Sequence, residues 1–264
     1  MIIDTHCHID NKQYYEDYDE VINRALEHGV KGFLIPGADF EDLPQAIKLA
    51  EKYDSVYFSV GTHPYDIEKY DEKIMDMYVN HPKCIAIGEC GLDYFRLPED
   101  EKEKEENVAL QKEVFISQIK YAKKVNKPLI VHVREASNDS RIILEEYGAK
   151  EVGGVLHCYN ASEHLLPLAD HGFYFGIGGV LTFKNAKKLV EILPKIPKEK
   201  LILETDAPYL TPHPHRGQRN EPYYTTFVAD KMAELLDTPK EEIEELTTNN
   251  AIKLFNEFSS IKKD

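Results

Sequence analysis

Ile2-Ile3-Asp4-Thr5-His6-Cys7-His8, near the start of the chain, is typical of a short apolar strand that ends in two histidines. Side chains alternate along a strand, so His6 and His8 point to one side and Cys7 to the other. A His-x-His element alone is a weak motif, since two histidines two residues apart can simply line a strand. Whether it belongs to a metal site depends on the residues at the ends of the other strands.

Seven more strand-like runs follow, and helix-length amphipathic segments alternate with them. The predicted strands are Ile2–His6, Gly32–Pro36, Val56–Val60, Cys84–Gly88, Leu129–Val133, Gly154–Leu156, Phe173–Gly176 and Leu201–Leu203. The predicted helices are Asp19–Glu27, Asp42–Lys52, Glu68–Val79, Leu110–Val125, Ser140–Tyr147, Ser162–Asp170, Ala186–Leu193, Pro222–Leu236 and Pro239–Phe258.

This alternation predicts parallel strands, because a helix between two strands returns the chain to the same edge of the sheet. Eight strand–helix units in 264 residues favour an α/β fold of the (β/α)₈ TIM-barrel type. An open doubly wound sheet is the alternative, but no glycine-rich dinucleotide loop follows the first strand. No linker-like tract divides the chain, so a single domain is predicted for residues 1–264.

Composition and charge limit the class of protein. Hydrophobic residues make up 42% and charged residues 30%, the balance of an ordinary globular chain. The net charge of −15 argues against nucleic-acid binding through a broad basic surface, although a deep metal pocket with a few arginines could still hold a strand end. Four cysteines without a C-x-x-C pair, no visible signal peptide and no membrane-length apolar run predict a cytoplasmic protein without membrane attachment.

One biased segment, the acidic run Pro98–Asn107, lies in the loop predicted after the fourth strand. Charge runs are usually solvated, so a surface loop leading into a helix is favoured. The alternative is a rim or lid over a pocket, because the loops after barrel strands lie on the active face.

Histidines and carboxylates recur where the predicted strands end. They are His6 and His8 at the end of strand one, Glu89 after strand four, His132 at the end of strand five, His157 after strand six and Asp206 after strand eight. The carboxyl ends of the strands in a parallel barrel all open on one face, so these side chains are expected to converge. Such a set can hold two divalent metal ions, and Zn²⁺, Mn²⁺ and Mg²⁺ all remain open as their identity.

Three carboxylates are the candidate catalytic groups. Asp206 could ligate a metal ion and also accept the proton of the attacking water as general base. Glu89 could bridge the two ions. Glu204, one strand alternation before Asp206, could support a metal ligand from behind or orient the water, and a structural ion pair is its alternative role.

Three cysteines, Cys7, Cys90 and Cys158, each adjoin a candidate ligand. Packing as small buried hydrophobes is favoured for them. Thiolate ligation of zinc is the alternative.

Other polar residues near the strand ends are candidate substrate contacts. Arg134, two residues after His132, could clamp a phosphate or carboxylate. His63, which follows the third strand, could donate a hydrogen bond to a substrate oxygen. The segment 215–222 is rich in anion-binding groups, with surface charge balance as an equal alternative. Its candidate contacts are Arg216, Arg219 and Asn220.

Six blocks of sequence carry a family resemblance in a consistent order. They are Ile2–His8, Gly61–Pro64, Ile87–Tyr94, Pro128–Ala136, Glu204–Pro208 and Arg216–Pro222. In these blocks the chain resembles the TatD family of metal-dependent deoxyribonucleases, which have amidohydrolase-like barrels. The resemblance implies one metal ion on His6, His8 and Asp206, and a second on His132 and His157 with Glu89 bridging.

The chain departs from the family pattern at one position. Asn138 stands where the family usually has an acidic residue, and Asp139 follows it. Asp139 could therefore keep a helix N-cap role while a side-chain contact changes.

Three functions are compatible with these residues. The leading hypothesis is a phosphodiesterase that cleaves DNA ends 3′ to 5′, with DNA as a transient partner and no obligate protein partner. The alternative is hydrolysis of a small ester, lactone, amide or phosphate at the same site. A protein with a purely structural metal is disfavoured, because structural sites are normally closed whereas shared ligands at a barrel mouth leave open positions.

Overall fold

A computed structural model describes residues 1–261, so residues 262–264 of the predicted domain lie outside this description. Eight parallel strands form one sheet in the order β1 to β8. The strands are β1 Ile2–Asp4, β2 Val30–Ile35, β3 Val56–Val60, β4 Cys84–Asp93, β5 Leu129–Arg134, β6 Gly154–Leu156, β7 Phe173–Ile177 and β8 Leu201–Leu203. Each strand pairs with the next one in sequence, which is the topology of the predicted TIM barrel.

Helices connect the strands and cover the outside of the sheet. They are α1 Tyr18–Glu27, α2 Leu43–Lys52, α3 Glu72–Tyr78, α4 Glu101–Val125, α5 Ser137–Glu146, α6 Lys187–Ile192, α7 Thr225–Leu236 and α8 Lys240–Leu254. Short 3₁₀ segments complete several connections, and the longest, Glu163–His171, replaces the helix predicted at Ser162–Asp170. None of the described helices has the length and apolar character needed to span a membrane.

The barrel is nearly closed at the seam between β8 and β1, and the bonds of this seam lie at the carboxyl ends of the strands. The Thr5 N–H donates to the Leu203 carbonyl at 3.1 Å, and the Asp206 N–H donates to the His6 carbonyl at 2.9 Å. Cys7 and Ala207 form an isolated parallel bridge beyond the strand ends. Closure of the fold therefore brings the residues that follow β1 and β8 into direct contact.

Two apolar clusters fill the fold. The larger one lies between the sheet and its helices and includes Cys7, Phe115 and Val228. The smaller one takes at least one buried side chain from every strand, and Phe255 and Phe258 from the chain beyond α8 pack against it. The second set alternates with the first along each strand, so it fills the inside of the barrel and leaves only the opposite, carboxyl end for polar groups.

Several predicted boundaries are wrong, among them those of α3, α4 and β4. Helix α4 begins at Glu101, within the acidic run Pro98–Asn107, because Asp100 caps it by accepting from the Lys102 and Glu103 N–H groups at 3.0 Å. Acidic residues are favourable in the first turn of a helix, so most of this run is helix and not loop. The helix predicted at Glu68–Val79 divides into a 3₁₀ turn and α3.

The end of β4 was placed too early. The strand continues through Glu89 to Asp93, because a register shift between Ile87 and Cys90 lets it resume pairing with β5. Gly91 makes the close pairing possible, since a Cβ atom there would lie 2.0 Å from the His132 carbonyl oxygen. Glu89 consequently projects from within a strand.

Asp139 is not the N-cap of α5. The N-cap is Ala136, which makes no side-chain cap bond, and Asp139 lies in the first turn. Its carboxylate accepts from the Tyr94 hydroxyl at 2.8 Å and pairs with Lys112 at 2.7 Å. Asp139 therefore ties α5 to the β4–α4 connection.

Candidate metal centre

Glu89 lies at the centre of the polar cluster at the carboxyl end of the barrel. Its two carboxylate oxygens lie 3.4 Å from His6 Nε2, 3.7 Å from His157 Nε2, 3.0 Å from His132 Nδ1 and 3.6 Å from His63 Nε2. These partners come from the ends of four different strands, and Glu89 itself is buried. The fold thus brings together residues distant in sequence, as the strand-end pattern predicted.

Asp206 joins the first strand to this cluster. Its Oδ1 atom lies 3.7 Å from His6 Nε2 and 3.5 Å from His8 Nε2. His6 and His8 therefore reach the same side of the chain, while Cys7 is buried in the apolar core and donates weakly to the Leu34 carbonyl. Cys90 is likewise buried, with its thiol toward the Ile130 carbonyl, so both support the packing role.

Three groups of side chains offer ligand atoms that lie within 4.8 Å of one another. They are His6, His8 and Asp206; His6, Glu89 and His157; and His63, Glu89 and His132. Ligand atoms bound to one ion at about 2.0–2.2 Å must themselves lie roughly 3–3.6 Å apart, close to the separations around Glu89 and Asp206. Mixed imidazole and carboxylate donors suit Zn²⁺ or Mn²⁺.

His6 supplies the test that the residues fit a cation. Its side chain is buried, yet neither ring nitrogen has a hydrogen-bond partner among the described residues. Nε2 instead faces Glu89 and Asp206. A buried imidazole nitrogen between two carboxylates needs a proton or a metal ion between it and them, and a divalent cation fits this position.

The carboxylates of the cluster are held in their ionised form. Burial would raise the pKa of Glu89, but the imidazoles of His157, His6 and His63 hold it well below its usual value. Burial would likewise raise the pKa of Asp206, and its bond with His8 and the neighbouring imidazoles lower it. Burial would lower the pKa of His157, but Glu204 and Glu89 raise it to about 10. The cluster therefore stabilises positive charge between its members.

Asp93 is a functional candidate that the sequence analysis did not single out. Its Oδ2 atom accepts from His132 Nε2 at 2.9 Å, so the proton of the neutral His132 ring lies on Nε2. The Nδ1 lone pair of neutral His132 then faces the Glu89 carboxylate at 3.0 Å. Two acceptors at this distance require a proton or a metal ion between them, and the Asp93 bond leaves Nδ1 as the ring position that could bind such an ion.

Glu204 acts through His157. Its Oε1 atom lies 3.2 Å from His157 Nδ1 and accepts from the Cys158 N–H at 2.6 Å, and the side chain is fully buried. A Cβ atom on Gly176 would lie 2.1 Å from Glu204 Oε2, so the glycine leaves the space that this carboxylate occupies. Behind the imidazole and away from solvent, Glu204 is placed to orient His157 and not to contact the attacking water.

The tautomer of His63 is set by a backbone hydrogen bond. Its Nδ1 atom accepts from the Tyr65 N–H at 3.0 Å, so the proton of the neutral ring lies on Nε2. Burial lowers the pKa of His63 to about 4, which keeps the ring neutral. Nε2 is therefore a donor facing Glu89, consistent with the predicted hydrogen bond to a substrate oxygen.

Asp4 is a second group that the sequence analysis left without a role. Its buried carboxylate accepts from the Thr205 N–H at 2.9 Å, the Thr205 hydroxyl at 2.6 Å and the His6 N–H at 3.3 Å. It thus clamps the segments that carry His6 and Asp206 onto each other. The only feature of the sequence that could have indicated this role is the position of Asp4, two residues before the candidate ligand His6.

A cavity of about 670 Å³ opens beside the cluster and reaches His132, His157 and Asp206. Arg134 lines it as predicted, and so does Arg96, which the sequence analysis did not identify. Cys158 lines the same cavity. It is partly buried, and its thiol belongs to none of the three ligand groups.

The segment 215–221 does not contribute to this cavity. Arg219 donates to Asp17 at 2.5 and 2.9 Å and to Glu221 at 3.2 Å, and Arg216 donates to the Thr211 carbonyl at 2.9 Å. Asn220 is fully buried and donates to the Thr205 and Tyr209 carbonyls. These bonds are internal to the fold, and the contact of these three residues with substrate stays a prediction.

The chain is similar to known proteins along nearly its whole length. A family model described as TatD related DNase matches residues 3–256. The uncharacterized metal-dependent hydrolase YabD of Bacillus subtilis is 43% identical, covering 97% of this chain and 99% of the relative. The 3′-5′ ssDNA/RNA exonuclease TatD of Salmonella typhimurium is 33% identical, over 96% and 98%. The crystal structure of YjjV, a TatD homologue of Escherichia coli, has a TM-score of 0.87 at 30% identity, over 97% and 98%.

Proposed function

This chain belongs to the TatD-related DNase family of metal-dependent hydrolases, and from that premise we propose that it is a 3′-to-5′ exonuclease acting on DNA ends. The observation that carries the proposal is the cluster around Glu89, which lies beside a cavity lined by Arg96 and Arg134. Phosphodiesters carry the negative charge that guanidinium groups bind in bidentate fashion. The name of the Salmonella relative adds support for a nucleic-acid substrate.

We assign two divalent cations to this cluster. His6, His8 and Asp206, whose ligand atoms converge, would hold one. His132 and His157, which each face a carboxylate oxygen of Glu89, would hold the other, with Glu89 shared between the two. When bound, such cations make a water molecule more acidic and offset the charge that develops on the displaced oxygen. Asp93 and Glu204 would fix the rings of His132 and His157 in the orientation that this binding needs.

Asp206 is the proposed general base. It faces His6 and His8 through Oδ1 and also lines the cavity, so one carboxylate borders both the cluster and the space for substrate. Its lowered pKa keeps it ready to accept a proton from the attacking water. His63, with its proton on Nε2, would donate to a non-bridging oxygen of the scissile phosphate.

Cleavage assays test the proposal directly. The purified protein is incubated with single-stranded and duplex DNA, labelled at either end, in Mg²⁺, Mn²⁺ or chelator. We expect stepwise shortening from the 3′ end that chelator abolishes, and loss of about 10²- to 10⁴-fold in Asp206→Asn, the usual contribution of a general base. His132→Ala should lose activity as well.

His164→Ala is the matched control, because this exposed histidine lies on the segment Glu163–His171 and outside every ligand group. Metal-independent cleavage, or His132→Ala with the activity of the control, would contradict the proposal. Turnover of small esters, lactones or phosphates with DNA untouched would favour the small-molecule alternative. The cytoplasmic location stays a prediction that fractionation can test.

A further inference from the structure

Two of the six arginines in the chain are left without partners, and both face the cavity. Arg24, Arg141 and Arg219 pair with carboxylates, and Arg216 donates to a carbonyl. Within residues 1–261, the guanidinium groups of Arg96 and Arg134 form neither a salt bridge nor a hydrogen bond. The chain has 47 acidic residues and a net charge of −15, yet these two guanidinium groups have no carboxylate partner among the described residues. Free cationic donors are therefore a distinctive feature of this cavity.

Each of these arginines lies over an aromatic ring. The guanidinium carbon of Arg134 lies 3.6 Å from the centre of the Phe95 ring, and that of Arg96 lies 5.3 Å from the centre of the Tyr65 ring. Contacts of this kind hold the guanidinium plane in place without consuming its hydrogen-bond donors. Both groups can therefore donate to an anion.

Exposed aromatic rings are concentrated at this end of the barrel. Of the six exposed large hydrophobic side chains, four are aromatic and lie on loops that follow strands, while Met77 and Ile142 lie on helices. The aromatic four are Tyr15, Tyr65, Phe95 and Tyr209. Phe95 is 50% exposed although Arg134 covers part of it, so the ring keeps surface on which another flat group could stack.

Cationic side chains outnumber acidic ones in the lining of the cavity. Its cationic side chains are Arg96, Arg134 and Lys188, and its one acidic side chain is Asp206, which belongs to the ligand cluster. A substrate that enters past these residues meets positive charge before it reaches the metal centre. Such an arrangement favours a ligand with more than one negative group.

We propose that Phe95, Arg96 and Arg134, here called the arginine–aromatic rim, bind the nucleotide adjacent to the scissile phosphate. The two guanidinium groups hold its phosphate, and the Phe95 ring stacks on its base. The inference rests on the proposed function and adds the residues that determine specificity for an unpaired strand. Aromatic stacking is tolerant of base identity, so the rim selects an unpaired base of any sequence.

The experiment combines removal of the ring with removal of the base. Wild type, Phe95→Ala and Phe95→Tyr are assayed on a single-stranded oligonucleotide and on the same strand with tetrahydrofuran abasic residues at the second and third positions from the 3′ end. Met77→Ala, an exposed hydrophobic on α3 away from the cavity, is the matched control. Values of kcat and KM are measured separately, and binding is measured by fluorescence anisotropy in the Asp206→Asn background.

For wild type, we expect the abasic strand to lower kcat/KM by about 10- to 100-fold through KM, the range given by base–aromatic stacking. Phe95→Ala should show this loss on the normal strand and no further loss on the abasic one, while Phe95→Tyr keeps the wild-type pattern. Arg96→Gln and Arg134→Gln should raise KM equally on both strands and weaken its salt dependence.

Two results overturn the inference alone. One is cleavage by Phe95→Ala that matches Met77→Ala on the normal strand. The other is an abasic penalty of the same size in Phe95→Ala and wild type. If wild type neither cleaves nor binds either strand, the proposed function fails together with the inference, so the two failures are distinguishable.

Discussion

The β4–β5 side of the barrel mouth and the segment 215–221 both carry anion-binding side chains, yet they use them differently. On the β4–β5 side, Arg96 and Arg134 stack on aromatic rings and keep their donors free. In the segment 215–221, Arg219 is bound to Asp17 and Glu221, and Glu221 also binds Arg24 at 2.7 Å. Similar residue types therefore keep free donors in one region and bind other parts of the protein in the other.

The difference lies in what each region packs against. The carboxylates of Asp17 and Glu221 neutralise Arg219 and attach the segment to the chain before α1. On the β4–β5 side, the nearby carboxylates of Glu89 and Asp93 are already bound to histidines. The guanidinium groups there consequently have no protein partner among the described residues. Substitutions in the two regions should separate activity from stability.

Among substitutions in these two regions, the largest effect is expected from Asp93→Asn on the β4–β5 side. Loss of the carboxylate that orients His132 should lower metal affinity and activity by about 10- to 100-fold, the usual cost of changing the partner of a ligand histidine. Metal content after dialysis, measured by elemental analysis, and kcat/KM check the prediction. Asp139→Asn is the control, since that carboxylate accepts from Tyr94 and binds Lys112 without contacting a histidine in residues 1–261. Equal metal retention in both variants would contradict the role of Asp93.

A smaller loss is expected from Arg134→Gln. Removal of one charge-assisted hydrogen bond to phosphate should lower kcat/KM by about 10-fold, with an unchanged melting temperature because the side chain is exposed and unpaired. Arg216→Gln is the matched variant. The Arg216 guanidinium also lies over an aromatic ring, 3.9 Å from the centre of the Phe183 ring, but it donates to the Thr211 carbonyl. If Arg216→Gln loses more activity than Arg134→Gln, the contrast between the regions is wrong.

In the segment 215–221, Asn220→Ala should act on stability. The change leaves the Thr205 and Tyr209 carbonyls without their amide donor in a buried site, at a cost of about 1–2 kcal/mol. Each kcal/mol corresponds to a melting-temperature shift of about 2–4 °C at this size. Thermal unfolding measures the shift, with exposed Asn138→Ala as the control. A stability equal to that of the control would show that the amide bonds contribute nothing.

The smallest effect is expected from Arg219→Gln. Its bonds to Asp17 are partly exposed, so their loss should cost less than about 1 kcal/mol. The bond to Arg219 holds the pKa of Asp17 below its usual value, so the pair stabilises the fold above about pH 4 and loses this effect as the pH falls and Asp17 becomes protonated. The difference in melting temperature between wild type and Arg219→Gln should therefore shrink below about pH 4. A difference that grows on acidification would have the wrong sign.

The architecture was accessible from sequence because its signals are local. Eight buried runs separated by amphipathic segments require no long-range information, and a parallel barrel automatically places their carboxyl ends together. The positions of Glu89, His132 and Asp206 followed from that rule, and the cluster of the structure agrees with it. The boundaries were less accurate where capping at Asp100 and the register shift before Cys90 extended regular structure.

Chain connectivity does not specify which polar atoms meet. Asp93 and Glu204 gain their roles because β4 and β8 bring them to histidines of β5 and of the chain after β6. Arg219 was predicted as a substrate contact because its segment is rich in donors, but the carboxylate of Asp17, distant in sequence, binds it.

His6-Cys7-His8 shows the same division. The alternation of a strand was enough to send the two imidazoles one way and the thiol the other, since that geometry is a property of the backbone. Whether those imidazoles face solvent, a proton or a metal ion depends on Glu89 and Asp206, which approach only when the barrel closes. Local periodicity thus determined the fold and the candidate ligands, whereas the positions of charges and protons were decided by tertiary contacts, because electrostatic interactions act through space.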